Sequence, residues 1–168
     1  MFDPRPSDRE VPGPGQESVW DYPRPPAVEP CECTIRIVMN GGELAHSKQA
    51  HRVLETSHPP VYYLPPEDLD LTRLRRCEEQ SFCEWKGIAR YWAFVDGERC
   101  IDQIAWSYPT PSERFSAIRN HLAFYPSRVD ECYVDGERVM AQAGDFYGGW
   151  ITSKVVGPFK GGPGTRGW

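Results

Sequence analysis

The chain has 168 residues and a formal net charge of −5. That length supports one domain with a real core, and the acidic balance speaks against a nucleic-acid partner, which needs a basic face. No apolar run approaches the roughly 20 residues that cross a bilayer, and the opening lacks the apolar centre of a secretory leader, so a soluble, cytoplasmic protein with no membrane partner is expected.

Residues 1–17 read as a mobile Pro-rich arm, with prolines at 4, 6, 12 and 14. Trp20 and Tyr22 then stand among Pro23, Pro25 and Pro26, which suggests an extended segment that buries both rings on the domain. Residues 18–143 are expected to be the domain itself. Ile35, Ile37 and Met39 alternate on one strand face, and Asn40-Gly41 is a strong hairpin signal leading to a strand at 43–47. A short helical turn is expected at 50–55, a strand at 61–64 between proline pairs, and a short helix within 67–76. Residues 87–95 and 99–108 predict a hairpin turning at Asp96-Gly97. Ser112 reads as the N-cap of a helix carrying Phe115, Ile118 and Leu122 inward. A strand at 122–125 and a hairpin at Asp135-Gly136 follow. The Gly-rich tail, 144–168, contains Phe146, Tyr147, Trp150, Phe159 and Trp168. Disordered tails avoid aromatics, so this one is expected to pack on the domain or on a neighbouring subunit as a homo-oligomer contact.

The cysteines stand at 31, 33, 77, 83, 100 and 132. In a reducing compartment they are expected as thiols. Cys31-Glu32-Cys33 is the only close pair, and no second pair completes a zinc site. Neither a metal nor a cofactor is expected. His46, His51, His58 and His121 have no metal-ligating spacing and read as surface or turn residues.

The densest chemistry is Phe82-Cys83-Glu84-Trp85-Lys86-Gly87-Ile88-Ala89-Arg90-Tyr91-Trp92, answered by Ala105-Trp106-Ser107-Tyr108. Lysine is scarce, standing only at 48, 86, 154 and 160. An ammonium among rings sits over a ring face or loses solvation and becomes chemically useful. In strand alternation Lys86 would share a face with Ile88, Arg90 and Trp92, while Gly87 and Ala89 leave room on the other. Lys86 is thus a candidate anchor for an acidic or carbonyl ligand, or an amine nucleophile. The competing reading is a surface lysine whose stem covers a ring while its head stays wet. Glu55 is a candidate general base or counter-ion to Lys86, against a solvated acid ending a short helix. Tyr62, Tyr63, Tyr91, Trp92, Trp106 and Tyr108 can line a pocket or fill a core, one sheet face each. Cys83 is a candidate nucleophile or an ordinary thiol. The tail segment Gly157-Pro158-Phe159-Lys160-Gly161-Gly162 lacks the order of a phosphate loop, and its prolines oppose the helix such a loop needs.

These stretches give the chain a resemblance. Ala45-His46-Ser47, Leu54-Glu55-Thr56, Pro59-Pro60-Val61-Tyr62-Tyr63, the Trp85-Lys86-Gly87 run, Ala105-Trp106-Ser107-Tyr108 and Ala123-Phe124-Tyr125 resemble the family catalogued as domain of unknown function 427. The arm and the Gly148-Gly149-Trp150-Ile151-Thr152 segment resemble a longer form of it. Glu84 stands where that family usually has proline, and His46 where it has aspartate. The resemblance implies a β-tent, two small antiparallel sheets meeting at an angle, shared with methionine sulfoxide reductase B and the ligand-binding domain of cereblon. Many of those relatives hold zinc with paired Cys-x-x-Cys ligands that this chain lacks. The resemblance adds His46 and Ser47 to the ligand-binding candidates, and it carries a nucleotidyltransferase label. Asp68-Leu69-Asp70 has no preceding Gly-Ser motif to support that label.

The expectation is therefore a single mainly-β domain with one or two short helices, clasped by its arm and tail. It would recognise a small organic molecule in an aromatic pocket around Lys86, with metal-free acid–base or amine chemistry within reach. The rivals are a non-catalytic module that cages a peptide or modified side chain, a nucleotidyltransferase, and a ligand-free structural oligomer.

Overall fold

The computed structural model describes residues 6–168, and the chain is mainly β. Its strands are β1 (Glu17–Ser18), β2 (Ala27–Pro30), β3 (Ile35–Met39), β4 (Gly42–Ser47), β5 (His51–Leu54), β6 (Val61–Leu64), β7 (Leu74–Cys83), β8 (Gly87–Asp96), β9 (Arg99–Ser107), β10 (Leu122–Phe124), β11 (Glu131–Val134), β12 (Glu137–Arg138), β13 (Met140–Ala141), β14 (Trp150–Ile151) and β15 (Val155–Val156). Seven form one antiparallel sheet in the order β2-β5-β6-β10-β9-β8-β7, and four form a second in the order β12-β11-β3-β4. Two small pairs complete the fold, β13 with β14 and a parallel β1 with β15.

Three hairpins sit at the Asn-Gly and Asp-Gly sites, joining β3 to β4, β8 to β9 and β11 to β12. Asn40 and Gly41, and Asp135 and Gly136, all take positive φ, as a two-residue hairpin turn requires. Alternation then sorts the side chains. Ile35, Ile37 and Met39 of the four-stranded sheet meet Tyr62, Leu64, Phe94, Ile104, Leu122 and Phe124 of the seven-stranded sheet in the main core. The opposite face of the larger sheet carries a second cluster, with Tyr63, Ala89, Trp106, Ala123 and Tyr125 joined by Tyr108, Phe115 and Ile118. This buried aromatic cluster positions the site described below.

One helical expectation is corrected, and two are met by short 3₁₀ helices. Residues 50–55 supply β5, which pairs with β2 and β6, because Val53 and Leu54 are buried by extended pairing. Residues 67–76 hold only two single 3₁₀ turns, Pro66–Asp68 and Leu71–Arg73, before β7 begins. After Ser112 there is a 3₁₀ segment, Glu113–Ile118, kinked at Phe115, whose φ is −108° and ψ 19°. Ser112 does not cap it with its side chain; its hydroxyl donates to Trp85 O at 2.7 Å instead. The cysteine expectation is corrected as well. Cys31 and Cys33 form a disulfide across the β2–β3 loop, their Cα atoms 5.3 Å apart, within the usual span. Cys77, Cys83, Cys100 and Cys132 are free.

The expected mobility of the arm falls partly on residues 1–5, outside the described residues. Further on, Glu10 N–H donates to Gly157 O at 2.8 Å and Glu17 N–H to Lys154 O at 2.8 Å. The Trp20 indole donates to Pro158 O at 2.8 Å and its ring meets Trp168 edge-on, 5.3 Å between centroids. Arm and tail are thus bound to each other. No helix among the described residues is long and apolar enough to cross a membrane.

Candidate functional site

A cavity of about 510 Å³ opens over the aromatic face of the seven-stranded sheet, a size that suits a small organic molecule. Its floor is set by strand alternation. Val61 and Tyr63 of β6, Ala89 and Tyr91 of β8, and Trp106 of β9 all face it. The Trp106 indole donates to the Tyr63 hydroxyl at 3.2 Å, which leaves the Tyr63 proton free to be donated onward. Tyr63 and Tyr108 are held above the usual phenol range, first by burial. Tyr125 is pushed up to about 12, by burial and then by Tyr91. These phenols are neutral donors at physiological pH.

Lys86 lies in the turn between β7 and β8, not within a strand. This corrects the alternation expected for it. The turn aims its side chain toward the face of Ala89 and Tyr91, away from that of Trp92. Ser112 fastens the turn: its N–H donates to Lys86 O at 3.1 Å and its hydroxyl donates to Trp85 O. Gly87 has φ +107°, and a Cβ there would lie 3.4 Å from Thr110 O, so the position favours glycine. The Lys86 side chain is 9% exposed. Its ammonium lies 5.5 Å from the Phe115 ring centroid and 5.9 Å from that of Tyr108. Among the described residues its hydrogen-bond partner is Cys83 Sγ, at 3.6 Å.

Glu55 also lines the cavity, but it is no counter-ion to Lys86. Its Oε2 accepts from Arg24 at 3.3 Å and lies 3.6 Å from His58 Nε2. Arg24 also donates to Thr56 O at 2.8 Å, so the Glu55 turn is held from outside.

His58 is the residue that sequence reasoning missed. It is buried beside the cavity, its ring edge-on to Tyr147 at 4.7 Å. Gln142 Oε1 accepts from Gly149 N–H at 3.1 Å, which turns its amide nitrogen toward Lys160 O at 2.7 Å and His58 Nδ1 at 3.2 Å. An amide nitrogen only donates, so His58 Nδ1 accepts and the ring proton sits on Nε2, facing Glu55. Burial, then the charges of Lys160, Arg24 and Lys86, hold the His58 pKa down at about 4. The imidazole is therefore neutral at pH 7.

The tail supplies the remaining wall with Asp145, Phe146, Tyr147, Gly148 and Lys160. A Cβ at Gly148 would stand 2.3 Å from the Trp106 ring, so only glycine lets the tail lie on that indole. Arg128 Cζ sits 3.9 Å over the Tyr125 ring and pairs with Asp145 at 3.0 Å.

Of the expected site residues, Lys86, Glu55, Tyr63, Tyr91, Trp106, Tyr108 and Cys83 come together at the cavity. Four lie elsewhere. Tyr62 points from the opposite face of β6 into the main core, 5.0 Å from Trp150. Trp92 also faces that core and donates to Ser107 Oγ at 3.0 Å. Ser47 donates to Asp68 at 2.7 Å, and His46 is exposed beside Glu43 at 3.4 Å. Among the described residues, no three His, Cys, Asp or Glu side chains gather in a metal-ligating arrangement.

The model of the family described as Domain of unknown function (DUF427) matches residues 27–135. That span takes in β2 to β11 and the Lys86 turn, and ends before Gln142 and the tail wall. No curated protein matches the chain.

Proposed function

We propose a function for a chain that belongs to the DUF427 family: its aromatic cavity binds a small anionic organic molecule with a flat body. The observation that carries this is Lys86, a residue 9% exposed that lines the cavity, its ammonium with only a thiol for a hydrogen-bond partner among the described residues. A buried charge without a counter-charge costs several kcal/mol. A carboxylate or phosphate entering the cavity supplies that counter-charge. The neutral phenols of Tyr63 and Tyr108 add donors, and the rings of Trp106 and Tyr125 offer faces to a planar body. Glu55 and neutral His58 lie on the side of the tail. Glu55 is the group that would take a proton from the bound molecule, and Lys86 is the amine that would meet a ligand carbonyl.

The test uses benzoate and phenyl phosphate as probes, with benzyl alcohol as the neutral control, followed by calorimetry. Saturable binding of the anions and none of the alcohol is expected. Lys86→Met keeps the stem and removes the charge; it should weaken anion binding at least about tenfold and leave the ligand-free protein as stable or more stable, since the uncompensated charge is gone. Lys86→Arg should also fail, because a planar fork does not replace a point charge in a closed site. Equal binding by Lys86→Met would overturn the reading, as would release of pyrophosphate from a nucleoside triphosphate and Mg²⁺.

A further inference from the structure

We propose that Cys83 and Lys86 are a peroxide-triggered pair that joins covalently, sulfur to nitrogen, and shuts the anion site. The consequence for ligand binding rests on the reading above; the bond chemistry does not.

Cys83 ends β7 and Lys86 follows it by three residues in the fastened turn. The Cys83 thiol is half-buried and lines the cavity, so a small hydroperoxide can reach it. Its neighbour is an ammonium 3.6 Å away that the surrounding rings confine. Among the described residues the other free thiols lack such a neighbour. Cys100 meets only the Asp102 carboxylate, at 3.8 Å, and Cys132 is buried in the main core.

The chemistry balances in two steps. The Cys83 sulfur attacks hydrogen peroxide: the O–O bond breaks, an S–O bond forms, sulfur loses two electrons, and one water leaves. The resulting sulfenic acid is electrophilic at sulfur. The Lys86 nitrogen, its ammonium proton passed to solvent, attacks that sulfur. The S–O bond breaks, an S–N bond forms, and a second water leaves. The sulfenamide product has two hydrogens fewer than the thiol and amine together. It carries no ammonium charge, so the cavity loses its anion anchor. A thiol reductant that attacks the sulfur releases the amine, and a second thiol equivalent restores Cys83.

The test treats the full chain with hydrogen peroxide, alkylates the remaining thiols and digests with trypsin. Free Lys86 is a cleavage point, so the untreated protein yields the peptide 77–86. The crosslink blocks that cut. It should yield the peptide 77–90, two hydrogens lighter than its reduced form, with Cys83 closed to alkylation and with reversal by dithiothreitol. Cys77→Ser should leave this result intact. Lys86→Met should stop at the sulfenic acid and raise dimedone labelling of Cys83 several-fold. A Cys77–Cys83 disulfide with Lys86 still cut would overturn the proposal, and so would sulfinic or unchanged Cys83. Benzoate binding should be lost after peroxide and regained after reduction. If the crosslink forms and benzoate affinity is unchanged, the regulatory half is overturned. If benzoate fails to bind the untreated protein, the anion-site reading falls while the crosslink stands on its mass.

Discussion

His58 shows how one buried side chain reports on its surroundings. Its imidazole is pinned between the Gln142 amide and the Glu55 carboxylate, and its pKa is held at about 4 against 6.5 for the free group. Folding therefore favours the neutral form. The associated stability is fully present above pH 6.5 and is lost as pH falls toward 4. The difference amounts to roughly 2–3 kcal/mol between pH 7 and pH 4.5. Urea unfolding of wild type and His58→Asn at those two pH values checks this. The wild type should lose more stability on acidification than the variant, and equal losses would show that His58 is not the buried neutral group described. The same residue explains a limit of sequence reading. Its partner Gln142 lies 84 positions away, and no local pattern announces that pairing.

At the scale of elements, the site is a floor of strands and a wall of tail. Gly148 is where they touch. An alanine there would place its Cβ 2.3 Å from one Trp106 ring atom and 2.7 Å from another. Gly148→Ala should cost about 1–3 kcal/mol through overpacking and weaken benzoate binding by displacing the wall. Gly162→Ala is the control, since nothing lies within 4 Å of its added methyl. Thermal melts and calorimetry of the pair would decide it; indistinguishable variants would mean that the tail does not rest on the indole. The strands of this floor were legible because their β-branched and aromatic runs end at Pro59-Pro60, Pro65-Pro66 and Asp96-Gly97. Which face of each strand meets the cavity was not legible. Tyr62 and Tyr63 look equivalent in sequence, and only the facing sheet sends Tyr62 to the core. The turn at Lys86 was hidden because Glu84-Trp85-Lys86 contains none of the usual turn residues. The helices expected within 67–76 and after Ser112 are short 3₁₀ segments, the second broken at Phe115.

For the molecule as a whole, the segment beyond the family match closes the structure. Trp150 is fully buried, donates to Phe124 O at 3.0 Å through its indole, and packs on Tyr62. Truncating a buried tryptophan alone costs about 3–5 kcal/mol. Deletion from Gly144 onward should therefore destabilise the protein by more than about 3 kcal/mol and abolish benzoate binding. An unchanged urea midpoint would reduce the tail to a linker.

The parallel pairing of Glu17 with Val155 and Ser18 with Val156 also ties the arm and the tail into one closed loop. The entropic cost of closing so long a loop grows only slowly with its length. A chain whose tail is undocked lacks the cavity wall of Asp145, Phe146, Tyr147, Gly148 and Lys160. A ligand that binds only the closed form pulls the final docking forward by mass action, so an occupied site holds the two ends of the fold together.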